Sequence, residues 1–85
     1  MGGKFTYDDI MQAGKTFVGK DTKLVKHADG TIKEMISKNG LRRFRTPKYK
    51  PRVKVKQANF ETKASTNVHW NKSELKTNVH VNSNE

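Results

Sequence analysis

The chain has 85 residues, with 18 Lys and Arg against 8 Asp and Glu, and no cysteine. A net charge of +10 on so short a chain points to a polyanionic partner. One domain spanning 1–85 is the most this length supports, burying only about 60–65% of the surface the unfolded chain exposes. Multi-domain enzymes, dinucleotide-binding folds and large cofactor pockets are excluded on that ground. The absence of Cys removes disulfides, thiolate nucleophiles and Cys-based zinc sites together, and three scattered histidines make a poor metal cage. No apolar run approaches the ~20 residues of a membrane span, and no charged start leads into the apolar segment of a secretory signal. A soluble chain without cofactor or metal is expected.

The start, Met1-Gly2-Gly3-Lys4-Phe5-Thr6, matches the N-myristoylation pattern. The preferred reading is an initiator attached to a domain boundary, because Thr6 already has a structural role. Thr6 is a good helix N-cap, Asp9 stands at the third helical position, and Phe5 and Ile10 occupy the two positions of a hydrophobic staple. Ile10, Ala13 and Phe17 then recur at helical spacing, and Gly19 is a stop, so a helix is predicted at 7–18.

Beyond it the period changes to two. A short strand is predicted at 22–27, turned by Asp29-Gly30 into a second at 31–37 with Ile32 and Ile36 on one face and Met35 on the other. Asn39-Gly40 makes another hairpin turn into a strand at 41–46. Pro47 and Pro51 bracket Lys48-Tyr49-Lys50, which predicts an extended basic loop rather than a central strand. Residues 52–61 alternate, but Val53 and Val55 have the opposite parity to Ala58 and Phe60, so a bulge or bend is expected near Lys56-Gln57. Thr66-Asn67-Val68-His69 recurs as Thr77-Asn78-Val79-His80, which predicts a hairpin with His69 and His80 on one face as diagonal neighbours, roughly 7–8 Å apart. Residues 82–85 read as a loose tail. The fold class expected is α+β, one N-terminal helix followed by four to six antiparallel strands.

Eight of the sixteen residues at 41–56 are Arg or Lys, with no acid among them. Arg42, Arg43, Arg45, Lys48, Lys50 and Arg52 are therefore candidate phosphate contacts, and the interleaved Phe44 and Tyr49 offer faces on which a base could stack. The bland alternative is a solvated edge that discourages aggregation. A membrane surface would attract the same charge, but no basic amphipathic helix accompanies it, so RNA or DNA is the better partner. Metal-independent RNA cleavage adds few requirements. A base takes the 2′-hydroxyl proton, an acid protonates the leaving 5′-oxygen, and cations hold the phosphate. Histidine suits both proton roles. His80 and His69 are the candidate pair, with Glu61 as an alternative base or an orienter; His27, beside a turn, reads as structural. No H-E-x-x-H, G-x-S-x-G or P-loop is present.

Three segments carry a resemblance: Arg43-Phe44-Arg45-Thr46-Pro47-Lys48-Tyr49-Lys50-Pro51, Gln57-Ala58-Asn59-Phe60-Glu61 and Asn78-Val79-His80-Val81, with Trp70 in the interval between the last two. They resemble the C-terminal ribonuclease tips of bacterial polymorphic toxins, including those of contact-dependent inhibition, over about half the chain. The resemblance implies a compact sheet with an N-terminal helix, similar to the barnase/colicin/RelE-like ribonuclease group. It further implies metal-free cleavage of tRNA or rRNA, and neutralisation by a cognate acidic immunity protein. The domain would then be a monomer when free, delivered as part of a larger toxin and acting in the target-cell cytoplasm. The motif histidine maps to His80. Val79 stands where the pattern has Gly, and Asn82 where it has an Asp that could orient the histidine. The alternative from composition alone is a non-enzymatic basic RNA- or DNA-binding module; a third is an interaction protein that docks an acidic partner.

Overall fold

The computed structural model describes residues 5–83. Met1-Gly2-Gly3-Lys4 of the myristoylation pattern, and 84–85 of the expected tail, lie outside the described residues. One helix, α1 (Tyr7–Val18), is followed by a five-stranded antiparallel sheet in the order of the chain: β1 (Lys23–Lys26), β2 (Ile32–Ile36), β3 (Arg42–Lys50), β4 (Val55–Thr62) and β5 (Thr77–Asn82). The fold is α+β, as the periodicities predict.

The helix begins where its donors are satisfied. Thr6 Oγ1 accepts from the Asp9 amide at 3.1 Å and Asp9 Oδ2 accepts from the Thr6 amide at 3.1 Å, a reciprocal capping box. At the other end the Gly19 amide donates to Lys15 O, with φ of +76°. Ile10, Gly14 and Val18, four apart, make the buried stripe. The Asp29-Gly30 and Asn39-Gly40 turns form as predicted: Asp29 Oδ1 accepts from the Thr31 amide and hydroxyl, and Asn39 Oδ1 from the Leu41 amide and Ser37 hydroxyl.

The core lies between α1 and one face of the sheet, built from Ile10, Val18, Met35, Phe44 and Ala58, with Phe17, Ile32, Phe60 and Val81 packed against it. Phe60 is edge-on to Phe17 with ring centroids 5.4 Å apart, and tilted against Phe44 at 5.0 Å. Met35 faces the helix opposite Phe44, whereas Ile36 pairs with Arg43 on the other face.

Four expectations are corrected. The stretch 47–50 is not a loop: β3 runs through Pro47 to Lys50, and its register shifts between Arg45 and Lys48, so Thr46 and Pro47 together oppose Ala58. A bulge residue needs no ladder donor, which is what lets proline sit inside this strand. The irregularity expected at Lys56-Gln57 thus falls on the partner strand, and β4 itself is unbroken. The 66–69 and 77–80 segments do not form a hairpin. β5 pairs with β4 instead, Thr77 opposite Thr62 and Asn82 opposite Gln57. Val79 and Val81 alternate and extend the helix-side face, whereas Val68 is the single apolar residue in 66–69 and cannot. Asn82 and Ser83 are not a loose tail: Asn82 ends β5, and Ser83 is 2% exposed and bridges Phe5.

Candidate nucleic-acid interface

Strand alternation gives the sheet two unlike faces. The register places Glu34, Arg45, Asn59 and His80 in one row across β2 to β5, and Arg43, Glu61 and Asn78 in the next. This face is polar and lies away from α1. Between its strands and the 63–76 connection runs an open groove of about 230 Å³. Arg43, Arg45, Lys50, Arg52 and Lys72 line it, with Glu61 as the one carboxylate among them.

The bulge explains how so many cations share a face. Before it, the odd positions Arg43 and Arg45 face the groove; after it, Lys48 opposes Gln57 and Lys50 opposes Val55, so the even positions do. A regular strand would have sent Lys48 and Lys50 to the helix side. Thr46 fixes the irregularity: its hydroxyl lies 3.0 Å from both Ile32 O and Lys33 O, and the residue is 9% exposed.

An ion-pair network crosses the floor. Arg43 places Nη2 at 2.6 Å and Nε at 2.7 Å from Glu61 Oε1, with Nη1 3.6 Å from Glu34 Oε1; Arg45 Nε is 3.6 Å from Glu34 Oε2. Both Arg43 contacts with Glu61 go to Oε1. Trp70 also lines the groove, its ring centroid 4.8 Å from the Arg43 guanidinium carbon and 4.4 Å from Lys63 Nζ. Lys63 Nζ also donates to Val68 O at 2.7 Å, closing a local turn within the 63–70 segment. On β5, Asn78 Oδ1 accepts from Asn59, and Asn82 Oδ1 from Gln57 at 2.8 Å.

The residues singled out from the sequence divide accordingly. Arg43, Arg45, Lys50, Arg52, Glu61 and His80 come together in the groove, and Lys48 faces an adjoining cavity. Glu61 pairs with Asn78, so His80, two residues on, is its diagonal neighbour, roughly 7–8 Å away between Cα atoms. Phe44 cannot stack on a base: it is 0% exposed, because its parity points it beneath α1. Tyr49 pairs with Lys56 on the helix-side parity, so although 54% exposed it does not face the groove. Arg42 has the same parity; its Nη1 donates to Phe17 O at the C-terminal end of α1, and its guanidinium lies over the Phe17 ring. His69 is exposed on the connection and does not line the groove.

Sequence reasoning missed Glu34 and Lys72, and it included Asn59, Trp70 and Asn78 in the resemblance without giving them a role. Parity alone would have found Asn59 beside Glu61 and Asn78 beside His80. Glu34 carries a weaker signal, an acid set between Ile32 and Ile36 at the same parity. Among the described residues no three His, Cys, Asp or Glu side chains converge to hold a metal ion, and no helix is long and apolar enough to cross a membrane. The chain matches no family model, no curated protein and no solved structure. Its chemistry is therefore read from the groove itself.

Proposed function

We propose that the protein is an RNA-cleaving toxin domain of the barnase/colicin/RelE-like kind, acting by metal-independent transesterification. The observation that carries the reading is Glu61 and His80 as diagonal neighbours on a cation-lined face. Glu61 Oε2, which takes neither Arg43 contact, accepts the proton of a ribose 2′-hydroxyl. The freed 2′-oxygen attacks phosphorus, the bond to the 5′-oxygen breaks, and His80 donates a proton to that leaving oxygen. The products are a 2′,3′-cyclic phosphate and a free 5′-hydroxyl. Arg43, Arg45 and Lys50 stabilise the charge that builds on the phosphate oxygens. Arg52 extends the cationic surface of the groove along the strand of RNA. An acidic immunity protein covering this face would block the substrate, and delivery as part of a larger toxin would bring the domain to a target-cell cytoplasm. Incubation with total cellular RNA, with and without EDTA, tests the reading. Discrete cuts in both samples are expected; intact RNA overturns it.

One observation favours a second reading, a non-enzymatic RNA- or DNA-binding module. Glu61 is 3% exposed and anchored by Arg43, which is also how a purely structural ion pair would look. That module would bind with strong salt dependence and leave the strand uncut.

A further inference from the structure

A second cavity, of about 140 Å³, lies where the β3 bulge meets the turn between β1 and β2. That is many times the ~15 Å³ that admits a single water. Its cationic lining is Lys33, Arg45, Lys48 and Lys50, with His27 beside them, and none of its lining residues is acidic. Arg45 reaches Glu34 at 3.6 Å, whereas Lys33, Lys48 and Lys50 form no ion pair among the described residues. Converging like charges repel, and a bound anion removes that repulsion. The cavity is also built to hold its shape, because the Thr46 hydroxyl ties the bulge to the backbone of Ile32 and Lys33. It shares Arg45, Lys50 and Gln57 with the groove containing Glu61 and His80, so one strand of nucleic acid can occupy both.

We propose that this cavity is a second phosphate site, which takes a phosphodiester flanking the scissile one. The proposal rests on the reading of the groove as an RNA site, but not on cleavage. Labelled 2′-deoxy oligonucleotides of two to six nucleotides lack the attacking hydroxyl and report binding alone. Their affinities are measured over a salt series for the wild-type protein and for Lys33→Ala/Lys48→Ala. Both lysines are exposed, so the double variant is expected to melt like the wild type. Wild-type affinity should step up about tenfold at the length that first places a phosphate in the cavity. In the double variant the step should vanish while the shortest ligands bind as before, and the log–log salt slope for longer ligands should fall by about 0.7 for each phosphate no longer neutralised. Identical length profiles for the two proteins, or equal weakening at every length, would overturn the site. A retained step in a protein that cuts no RNA would overturn the cleavage reading and leave the phosphate site standing.

Discussion

Glu61 on β4 and Arg43 on β3 stand opposite each other with Oε1 2.6 Å from Nη2, and their side chains are only 3% and 12% exposed. Two charges withdrawn from water in this way are costly to separate, since the survivor keeps its desolvation without its partner. Arg43→Ala should therefore lower stability by about 3 kcal/mol. Glu61→Gln should lower it less, because Arg43 retains Glu34 at 3.6 Å. Denaturant midpoints of the two variants check the order; equal losses would contradict it.

His80 and His69 are equivalent in the sequence repeat and inequivalent in the fold. His80 lines the groove and His69 does not. Under the proposed mechanism His80→Ala should lower the single-turnover cleavage rate by about 10²–10⁴-fold, with His69→Ala close to wild type. Comparable losses in both variants would return His69 to the site.

Gly14 sets the distance between helix and sheet. A Cβ there would lie 2.4 Å from Cδ2 and Cε2 of Phe44, a ring that is 0% exposed and wedged against Phe60. Alanine is the better helix former by about 1 kcal/mol, but overpacking against an immobile ring costs about 1–3 kcal/mol. Gly14→Ala should be destabilising on balance. A raised melting temperature would show that the ring can yield.

Thr46→Val keeps the shape of the side chain and removes the donor to Ile32 O and Lys33 O. A loss of about 1 kcal/mol is expected, together with weaker binding of longer oligonucleotides as the bulge loosens. Hydrogen exchange of the bulge amides is the direct readout, and unchanged protection would contradict the role given to the hydroxyl.

In the first hairpin the Thr31 hydroxyl, at 2.6 Å, and the Thr31 amide hold the Asp29 carboxyl below its usual range. A depressed folded-state value contributes stability above the unfolded value of about 3.9, and that contribution is lost as pH falls through the folded value. Asp29 is solvent-exposed, so the contribution to stability is screened. Thr31→Val should move the Asp29 titration, followed by NMR, upward toward the ordinary value; no movement would mean that the hydroxyl has no hold on the charge.

The elements most legible in the sequence are those with local signals. Thr6 and Asp9 announce the helix start, Gly19 its end, and Asp29-Gly30 and Asn39-Gly40 the first two strand connections. The bulge is hidden because Pro47 argues against a strand, and only tertiary pairing with β4 and the Thr46 anchor overrides that local preference. A β3 that ends at 46 leaves the parity of everything after it undefined, which is why Tyr49 passes for a groove residue in the sequence. Phe44 misleads for a related reason: amid six cations it looks like a binding aromatic, yet on a strand every second residue belongs to the other side. The TNVH repeat suggests that like sequences pair, whereas pairing follows the apolar alternation of Val79 and Val81.

Under the proposed function this face cuts RNA through the 2′-hydroxyl with Glu61 and His80. The most direct measurement uses a short RNA containing a mapped cut site, and the same RNA with a single 2′-deoxy sugar immediately 5′ to that cut, both in EDTA. Cleavage of the first to a 2′,3′-cyclic phosphate end is expected, with no cleavage of the second at that site and loss of the first reaction in Glu61→Gln and His80→Ala. Equal cutting of both strands, or full activity in both variants, would contradict it.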